Sequence, residues 1–154
     1  MYAAMGSAFN RLRADDSYLL KTSMRGVVMV KVLMAGAGGF IGSALRYLLG
    51  ICLHQWANGV KFPLGTLVVN LIGCFVIGFL SQLAVARGNL TDEASIFIFV
   101  GILGGFTTFS SFGNETVELW RGGKEMAAFV NIAGHIILGL GGVWFGRLLA
   151  HQIR

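Results

Sequence analysis

The sequence predicts an all-α membrane protein with four transmembrane helices, the third of which is broken. Of its 154 residues 55% are hydrophobic and only 12% are charged, whereas a soluble domain carries about 25% charged residues. Lys, Arg, Asp and Glu are absent from residues 62–86, 94–114 and 126–146. Each of these stretches has roughly 20 to 25 residues, the length at which a helix crosses a bilayer. Short connections make neighbouring helices antiparallel.

The first span covers about residues 26–53 and carries two cations, Lys31 near one end and Arg46 toward the other. Gly38, Gly42 and Arg46 are four residues apart and therefore share a helix face. Small residues at this spacing let two helices approach closely. Arg46 is either an anchor at the membrane interface or a cation at the mouth of an anion path.

The second span begins at Pro63, which suits the first turn of a helix because its missing N–H costs nothing there. Thr66 and Asn70 are four residues apart and lie on one face. A buried asparagine is costly unless it is hydrogen-bonded. Asn70 therefore either links two helices or presents its amide to a permeant species, and the shared face with Thr66 favours the second interpretation.

The third span contains the feature that predicts a break. Gly104 and Gly105 carry no side chain, and four hydroxyl residues follow them closely: Thr107, Thr108, Ser110 and Ser111. Non-helical backbone at membrane depth is tolerated where it is buried in protein or lines a cavity. Freed carbonyls there suit a hard cation such as Na⁺, whereas N–H groups and hydroxyls suit an anion.

Aromatic and acidic residues follow the break. Phe109 and Phe112 are three apart and lie on one side of the helix, where they either pack or turn their positive ring edges toward an anion. Glu115 is one turn further on and either lines the same path or pairs with a cation such as Arg46. Glu118 is interpreted as a solvated end charge.

The fourth span combines small and polar residues. Gly142 and Gly146 form another close-packing edge. His135 follows Asn131 by one turn and is either a proton relay or a histidine hydrogen-bonded within the bundle.

Residues 1–25 differ from the rest and are predicted to be an N-terminal tail, disordered or at the membrane interface, whereas residues 26–154 form the four-helix channel domain. The tail has no apolar core typical of a secretory signal. With Arg11, Arg13 and Lys21 of the tail included, basic residues number eight on one side of the membrane and four on the other, which would favour the termini inside. Without the tail before Met24 they are nearly balanced, which permits insertion in both orientations provided that the tail does not govern it. One side has five and the other four: Arg25, Lys31, Arg87, Arg147 and Arg154 against Arg46, Lys61, Arg121 and Lys124. These cations lie at helix ends, so nucleic acid is not expected as a partner.

Three motifs in this order carry a resemblance to a known family. They are GGxxGxxxRY from Gly38, PLGTLxxNxxG from Pro63 and GxxGGxTTFSxF from Gly101. Together they resemble the CrcB/Fluc fluoride channels over about residues 36–146. The resemblance implies a passive, fluoride-selective export channel of the bacterial inner membrane, built as an antiparallel, dual-topology homodimer with two pores and a structural Na⁺.

The resemblance also implies roles for individual residues. It places the Na⁺ ligands at Gly104 and Thr107, through backbone oxygens at the dimer centre. The ion pathway falls on a larger set: Asn70, Phe109, Phe112, Thr66, Ser110, Ser111, Glu115 and Arg46. Many members have a serine where this chain has Gly113, so one hydroxyl of the usual polar track is missing.

Other functions fit the sequence less well. Small proton-coupled drug transporters also have four helices, but by resemblance they need a glutamate in the first one, and this span has none. A structural subunit without transport activity is a second alternative. An enzyme is not expected, because no catalytic arrangement of Ser, His and Asp or phosphate-binding loop is visible.

Overall fold

The computed structural model describes residues 2–57, 62–88 and 90–153, and side chains from residue 24 onward. The chain divides into two units, Met1–Leu33 and Met34–Arg154. The helix crossings, cavities and site residues described below lie in the second unit.

Among the residues that the structure describes, four helical stretches are long and apolar enough to cross a membrane, as the sequence predicts: Met24–Trp56, Leu64–Arg87, Asp92–Arg121 and Glu125–Gln152. The first belongs to α1 (Tyr2–Trp56), and the second is α2 (Leu64–Arg87). The third span consists of α3 (Asp92–Ser95), a π-helical segment (Ile96–Leu103), α4 (Gly104–Phe106) and α5 (Phe109–Arg121). The fourth consists of α6 (Glu125–Ala133), a π-helical segment (Gly134–Leu138) and α7 (Gly139–Gln152).

The predicted break in the third span is confirmed, and it falls on two residues. Thr107 has φ −83° and ψ 156°, and Thr108 has φ −147° and ψ 111°. Both are extended, so the helical hydrogen-bond ladder stops at α4 and starts again at Phe109. The glycines before the break remain helical.

Glycines let α1 cross the third span at very short range, as the spacing of Gly38 and Gly42 predicts. A Cβ atom added to Gly42 would lie 2.8 Å from the backbone N of Phe106. One added to Gly101 would lie 2.8 Å from the Cα atom of Gly38. Real Cβ atoms do not come this close to backbone, so no larger residue fits at this crossing.

A second glycine crossing joins α2 to α7, which share an extensive interface. A Cβ atom on Gly146 would lie 2.8 Å from the backbone N of Phe79, and one on Gly78 would lie 2.9 Å from the Cα atom of Val143. This confirms the predicted packing edge at Gly146. Gly142 is less constrained, because its nearest neighbour would be at ordinary contact distance.

Much of the outer surface is apolar. Along α1, the side chains of Phe40, Tyr47 and Trp56 are 76%, 70% and 84% exposed. Apolar groups on this scale are stable in contact with lipid tails or with another protein surface, but not with water. Residues 2–25 of the predicted tail have helical backbone within α1. The interfacial or disordered character of the tail stays a prediction.

The glycine crossing gives the first testable prediction. We expect Gly42→Ala to lower the stability of the purified protein by about 1–3 kcal/mol, because the new methyl group displaces backbone in the third span. Gly36→Ala is the matched control on the same helix, since a Cβ atom there meets nothing within 4 Å. Thermal unfolding in detergent measures the difference, and equal melting temperatures for the two variants would contradict the packing argument.

Candidate functional site

Asn70 joins α2 to the break in the third span. Its Nδ2 donates to the carbonyl of Thr108 at 3.0 Å, and its Oδ1 accepts from the backbone N–H of Thr108 at 2.8 Å. One amide therefore satisfies both polar groups of an extended residue at membrane depth. The sequence left two roles open for Asn70, a link between two helices or an amide presented to a permeant species. The structure shows the link between helices. The bond to Thr108 uses only one of the two Nδ2 hydrogens, so the amide retains a donor.

The break deprives the carbonyls of Gly104 and Thr107 of their usual helical donors. In a continuous helix the N–H of Thr108 would bond the Gly104 carbonyl, but here it donates to Asn70. Likewise, the N–H of Ser111 would bond the Thr107 carbonyl, but it donates to Thr108 Oγ1 at 3.2 Å. Gly104 and Thr107 are the two residues at which the resemblance places cation ligands, and their carbonyl oxygens fit this role.

Thr108 also caps α5 and holds both predicted serines. Its hydroxyl donates to Ser111 Oγ at 3.0 Å and lies 3.2 Å from Ser110 Oγ. Only 8% of Thr108 is exposed. The sequence indicated this residue only as one of several hydroxyls, although the structure makes it the centre of the polar cluster.

The first of two cavities, here called the arginine cavity, has a volume of about 330 Å³ and lies between α1, α2 and α5. Six polar residues line it: Arg46, His54, Thr66, Thr108, Ser111 and Glu115. Thr66 donates its hydroxyl hydrogen to Glu115 Oε1 at 2.5 Å. Arg46 and Glu115, which the sequence paired as one alternative, therefore share a cavity.

The second cavity, here called the phenylalanine cavity, has a volume of about 380 Å³. Its lining includes Asn70, Gly104, Thr107, Thr108, Phe109, Phe112 and His135. The rings of Phe109 and Phe112 meet edge to face, with centroids 5.3 Å apart and an interplanar angle of 63°. Thr108 lines both cavities. The two cavities therefore adjoin at Thr108, whose backbone is hydrogen-bonded to Asn70.

The structure thus divides the predicted pathway residues between two cavities. Thr66, Ser111, Glu115 and Arg46 line one, and Asn70, Phe109 and Phe112 line the other. Ser110 lines neither and is exposed, but its hydroxyl lies within hydrogen-bond distance of Thr108.

The sequence analysis identified only part of a chain of hydrogen bonds that lies behind Phe112. Asn131 is fully buried and donates to Thr116 Oγ1 at 2.9 Å, and Thr116 in turn donates to the carbonyl of Phe112 at 2.7 Å. His135 Nδ1 lies 2.9 Å from the carbonyl of Asn131, which confirms that this histidine is bonded within the bundle. The spacing of Asn131 and His135 was visible in the sequence, but their connection to Thr116 depends on tertiary packing.

The arrangement suits the coordination of small ions. Amide and hydroxyl donors line the two cavities together with Arg46, Glu115 and apolar side chains, and Gly104 and Thr107, whose carbonyls have lost their helical donors, line the phenylalanine cavity. Within the described residues, no group of three or more His, Cys, Asp or Glu side chains could hold a metal ion. A cation at this site would therefore depend on backbone oxygen, which Na⁺ and other hard cations accept.

Comparison with known proteins identifies relatives. Residues 33–147 match the family described as CrcB-like protein, Camphor Resistance (CrcB). A protein of Ruminiclostridium cellulolyticum named fluoride-specific ion channel FluC is 42% identical over 125 residues, which cover 81% of this chain and 95% of the relative. A protein of the same name from Helicobacter pylori strain HPAG1 is 47% identical over 119 residues, covering 77% and 91% of the two chains.

The bonds of Asn70 give a second prediction. We expect Asn70→Ala to destabilise the protein by about 1–3 kcal/mol, because the N–H and C=O of Thr108 lose their partner in a dry environment. Asn114→Ala is the matched control, since Asn114 is exposed and donates only to Glu118 on its own helix. Thermal unfolding in detergent compares the two, and equal losses would refute the special role of Asn70.

Proposed function

This chain belongs to the CrcB-like family, and we propose that it is a fluoride-selective channel that lets F⁻ leave the cell passively and so lowers cytoplasmic fluoride. The names of its relatives and the pattern of donors in its spans support this function. The observation that carries most weight is the Asn70–Thr108 junction, because it puts a hydrogen-bond donor where two cavities adjoin. The protein is a multi-pass protein of the bacterial inner membrane and has no enzymatic role.

The proposed route explains how fluoride can be distinguished from larger anions. Fluoride is small and strongly hydrated, so a selective path must replace its water with donors at short range. Thr66, Ser111 and Asn70 supply neutral donors along the route, with Ser110 beside the break. Arg46 attracts the anion into the arginine cavity. In the phenylalanine cavity, the positive ring edges of Phe109 and Phe112 replace water on the remaining sides of the ion.

The route needs a second copy of the chain. Phe109 is 82% exposed in a single copy, and a ring that contacts fluoride in a water-excluding path has to be covered. We propose that an antiparallel, dual-topology homodimer covers it and contains two such paths. The near balance of basic residues on the two sides, when residues 1–24 are left out, is compatible with insertion in both orientations.

We propose Na⁺ as the structural cation of this dimer. The carbonyls of Gly104 and Thr107 would hold it, because both have lost their helical donors. The ion would supply a positive charge that satisfies these oxygens and ties the broken helices together. Anion passage itself requires no step at the cation.

Flux through liposomes tests the function. We expect purified protein to release fluoride from loaded liposomes and to leave chloride inside, because the donor-lined path is too narrow for the larger ion. Equal rates for the two anions would rule out selectivity, and release of neither would favour a structural subunit. Proton-driven release of organic cations would instead favour the drug-transporter alternative.

A pair of variants locates the path in the same assay. Phe109→Ile should reduce fluoride release at least roughly tenfold, a loss of about 1.4 kcal/mol in transition-state stabilisation, because the aliphatic side chain has no positive edge. Phe129→Ile is the control, since Phe129 is an exposed phenylalanine of α6 that lines neither cavity. Full activity of Phe109→Ile would mean that the path lies elsewhere.

Removal of sodium tests the cation site. We expect the dimer to melt at a lower temperature when N-methylglucamine replaces Na⁺, because this bulky cation cannot sit between carbonyls. At 100 times its dissociation constant, a bound ion contributes about 2.7 kcal/mol to stability. Adding Na⁺ back should restore the melting temperature, whereas replacing chloride by gluconate at constant Na⁺ should have no effect. An unchanged melting temperature without Na⁺ would argue against the site.

A further inference from the structure

His135 lies in the π-helical segment Gly134–Leu138 and lines the phenylalanine cavity. Its ring centroid is 4.2 Å from that of Phe112, and the two rings are tilted by 36°. His135 Nδ1 lies 2.9 Å from the Asn131 carbonyl oxygen, which can only accept a hydrogen bond. Nδ1 therefore carries a proton. The other ring nitrogen, Nε2, is therefore the atom that gains or loses a proton when the charge of His135 changes.

Three enclosed side-chain polar atoms have no hydrogen-bond partner within the described residues: Nε2 of His135, Oε2 of Glu115 and Oδ1 of Asn131. The first two belong to side chains whose charge can change. Glu115 follows Phe112 by three residues on α5, about one turn from the ring that His135 contacts. Buried polar atoms without partners are rare in native proteins and call for an explanation such as a bound ion, a water molecule or a proton.

The two side chains belong to different cavities. Glu115 lines the arginine cavity and His135 lines the phenylalanine cavity. A carboxylate beside an anion route opposes the passage of the anion, and a positive charge nearby offsets this repulsion. A charged His135 would therefore change the cost of moving an anion past Phe112.

We propose that Glu115 and His135 form a proton-binding pair beside the anion route, in which protonated His135 offsets the charge of Glu115 and offers Nε2–H as a further donor to the anion. This proposal rests on the proposed fluoride channel. It adds to that channel a residue that makes anion passage depend on pH, with faster passage at acidic pH.

The other titratable groups around the pair are few. On α2, the Sγ atom of Cys74 would lie 3.5 Å from a Cβ atom on Gly139, one turn after His135. On α5, Glu118 lines a further cavity together with Glu115 and Lys124. From α1, Arg46 and His54 line the cavity of Glu115, and residues 126–146 contain no Lys, Arg, Asp or Glu. Histidine is the side-chain type among these whose charge ordinarily changes between pH 5 and 8.

Fluoride release at different pH values tests the pair. At low fluoride concentration, we expect the wild type to release fluoride roughly three- to tenfold faster at about pH 6 than at about pH 8. A change of this size is what one charge interaction gives when solvent partly screens it. His135→Gln and Glu115→Gln should each remove most of this difference. His151→Gln is the matched control and should keep it, because His151 is exposed near the end of α7. Rates from protein-free liposomes are subtracted, because neutral HF crosses lipid unaided.

The outcomes separate the two proposals. If the wild type releases no fluoride at any pH, the proposed function is wrong. If it releases fluoride equally at both pH values, or if His135→Gln keeps the wild-type difference, only the pair is wrong. Loss of the difference in Glu115→Gln alone would assign the proton to the carboxylate and also overturn the pair. Loss of the difference in His54→Gln but not in His135→Gln would assign it to the histidine of the arginine cavity, with the same consequence.

A measurement independent of transport complements the assay. In a His54→Gln, His151→Gln background, the imidazole ¹⁵N signals of nanodisc-embedded protein come from His135 only. Glu115→Gln keeps an oxygen for the Thr66 hydroxyl but removes the charge, so it should shift these signals. Glu118→Gln is the control and should leave them nearly unchanged. Unaltered signals in Glu115→Gln would contradict the pairing even if the channel conducts normally.

Discussion

The structure depends on one constraint, that backbone polar groups at membrane depth need partners inside the protein. Two extended residues, Thr107 and Thr108, interrupt the third span, where lipid offers no hydrogen bonds. Asn70 satisfies the N–H and C=O of Thr108, and the Thr108 hydroxyl satisfies the N–H of Ser111. These same bonds leave the carbonyls of Gly104 and Thr107 without helical donors. A single solution to the hydrogen-bond problem thus produces both a candidate cation site and a polar junction between cavities.

Close helix packing places the other parts of the site around this junction. Gly38, Gly42 and Gly101 let α1 approach the third span at backbone contact distance, and Arg46 lies one turn beyond Gly42. The arginine cavity therefore forms where α1 meets α2 and α5. Because hydrophobic attraction between helices is weak in lipid, contacts of this kind stabilise the bundle through dispersion forces.

The proposed route relies mainly on neutral donors, and this has a physical reason. A fixed cation deep in the route would bind an anion tightly and slow its release, whereas amides, hydroxyls and ring edges can exchange it rapidly. Glu115 is the exception, since its carboxylate lies near Phe112 and accepts from Thr66. In our proposal His135 offsets this charge only when it is protonated, so that the electrostatic environment of the route follows the pH.

The sequence by itself determined the four spans and the position of the break. Long uncharged stretches have few alternatives to membrane helices, and glycines followed by hydroxyls disfavour a continuous helix. It also indicated Asn70, Thr66 and the close-packing glycines, because residues four apart must share a helix face. Only the tertiary structure decided that Asn70 bonds Thr108, that the pathway residues divide between two cavities, and that Asn131 and His135 lie behind Phe112. Those relations join residues of different spans, and the helical period that a sequence reveals fixes the faces of each helix but not which faces meet.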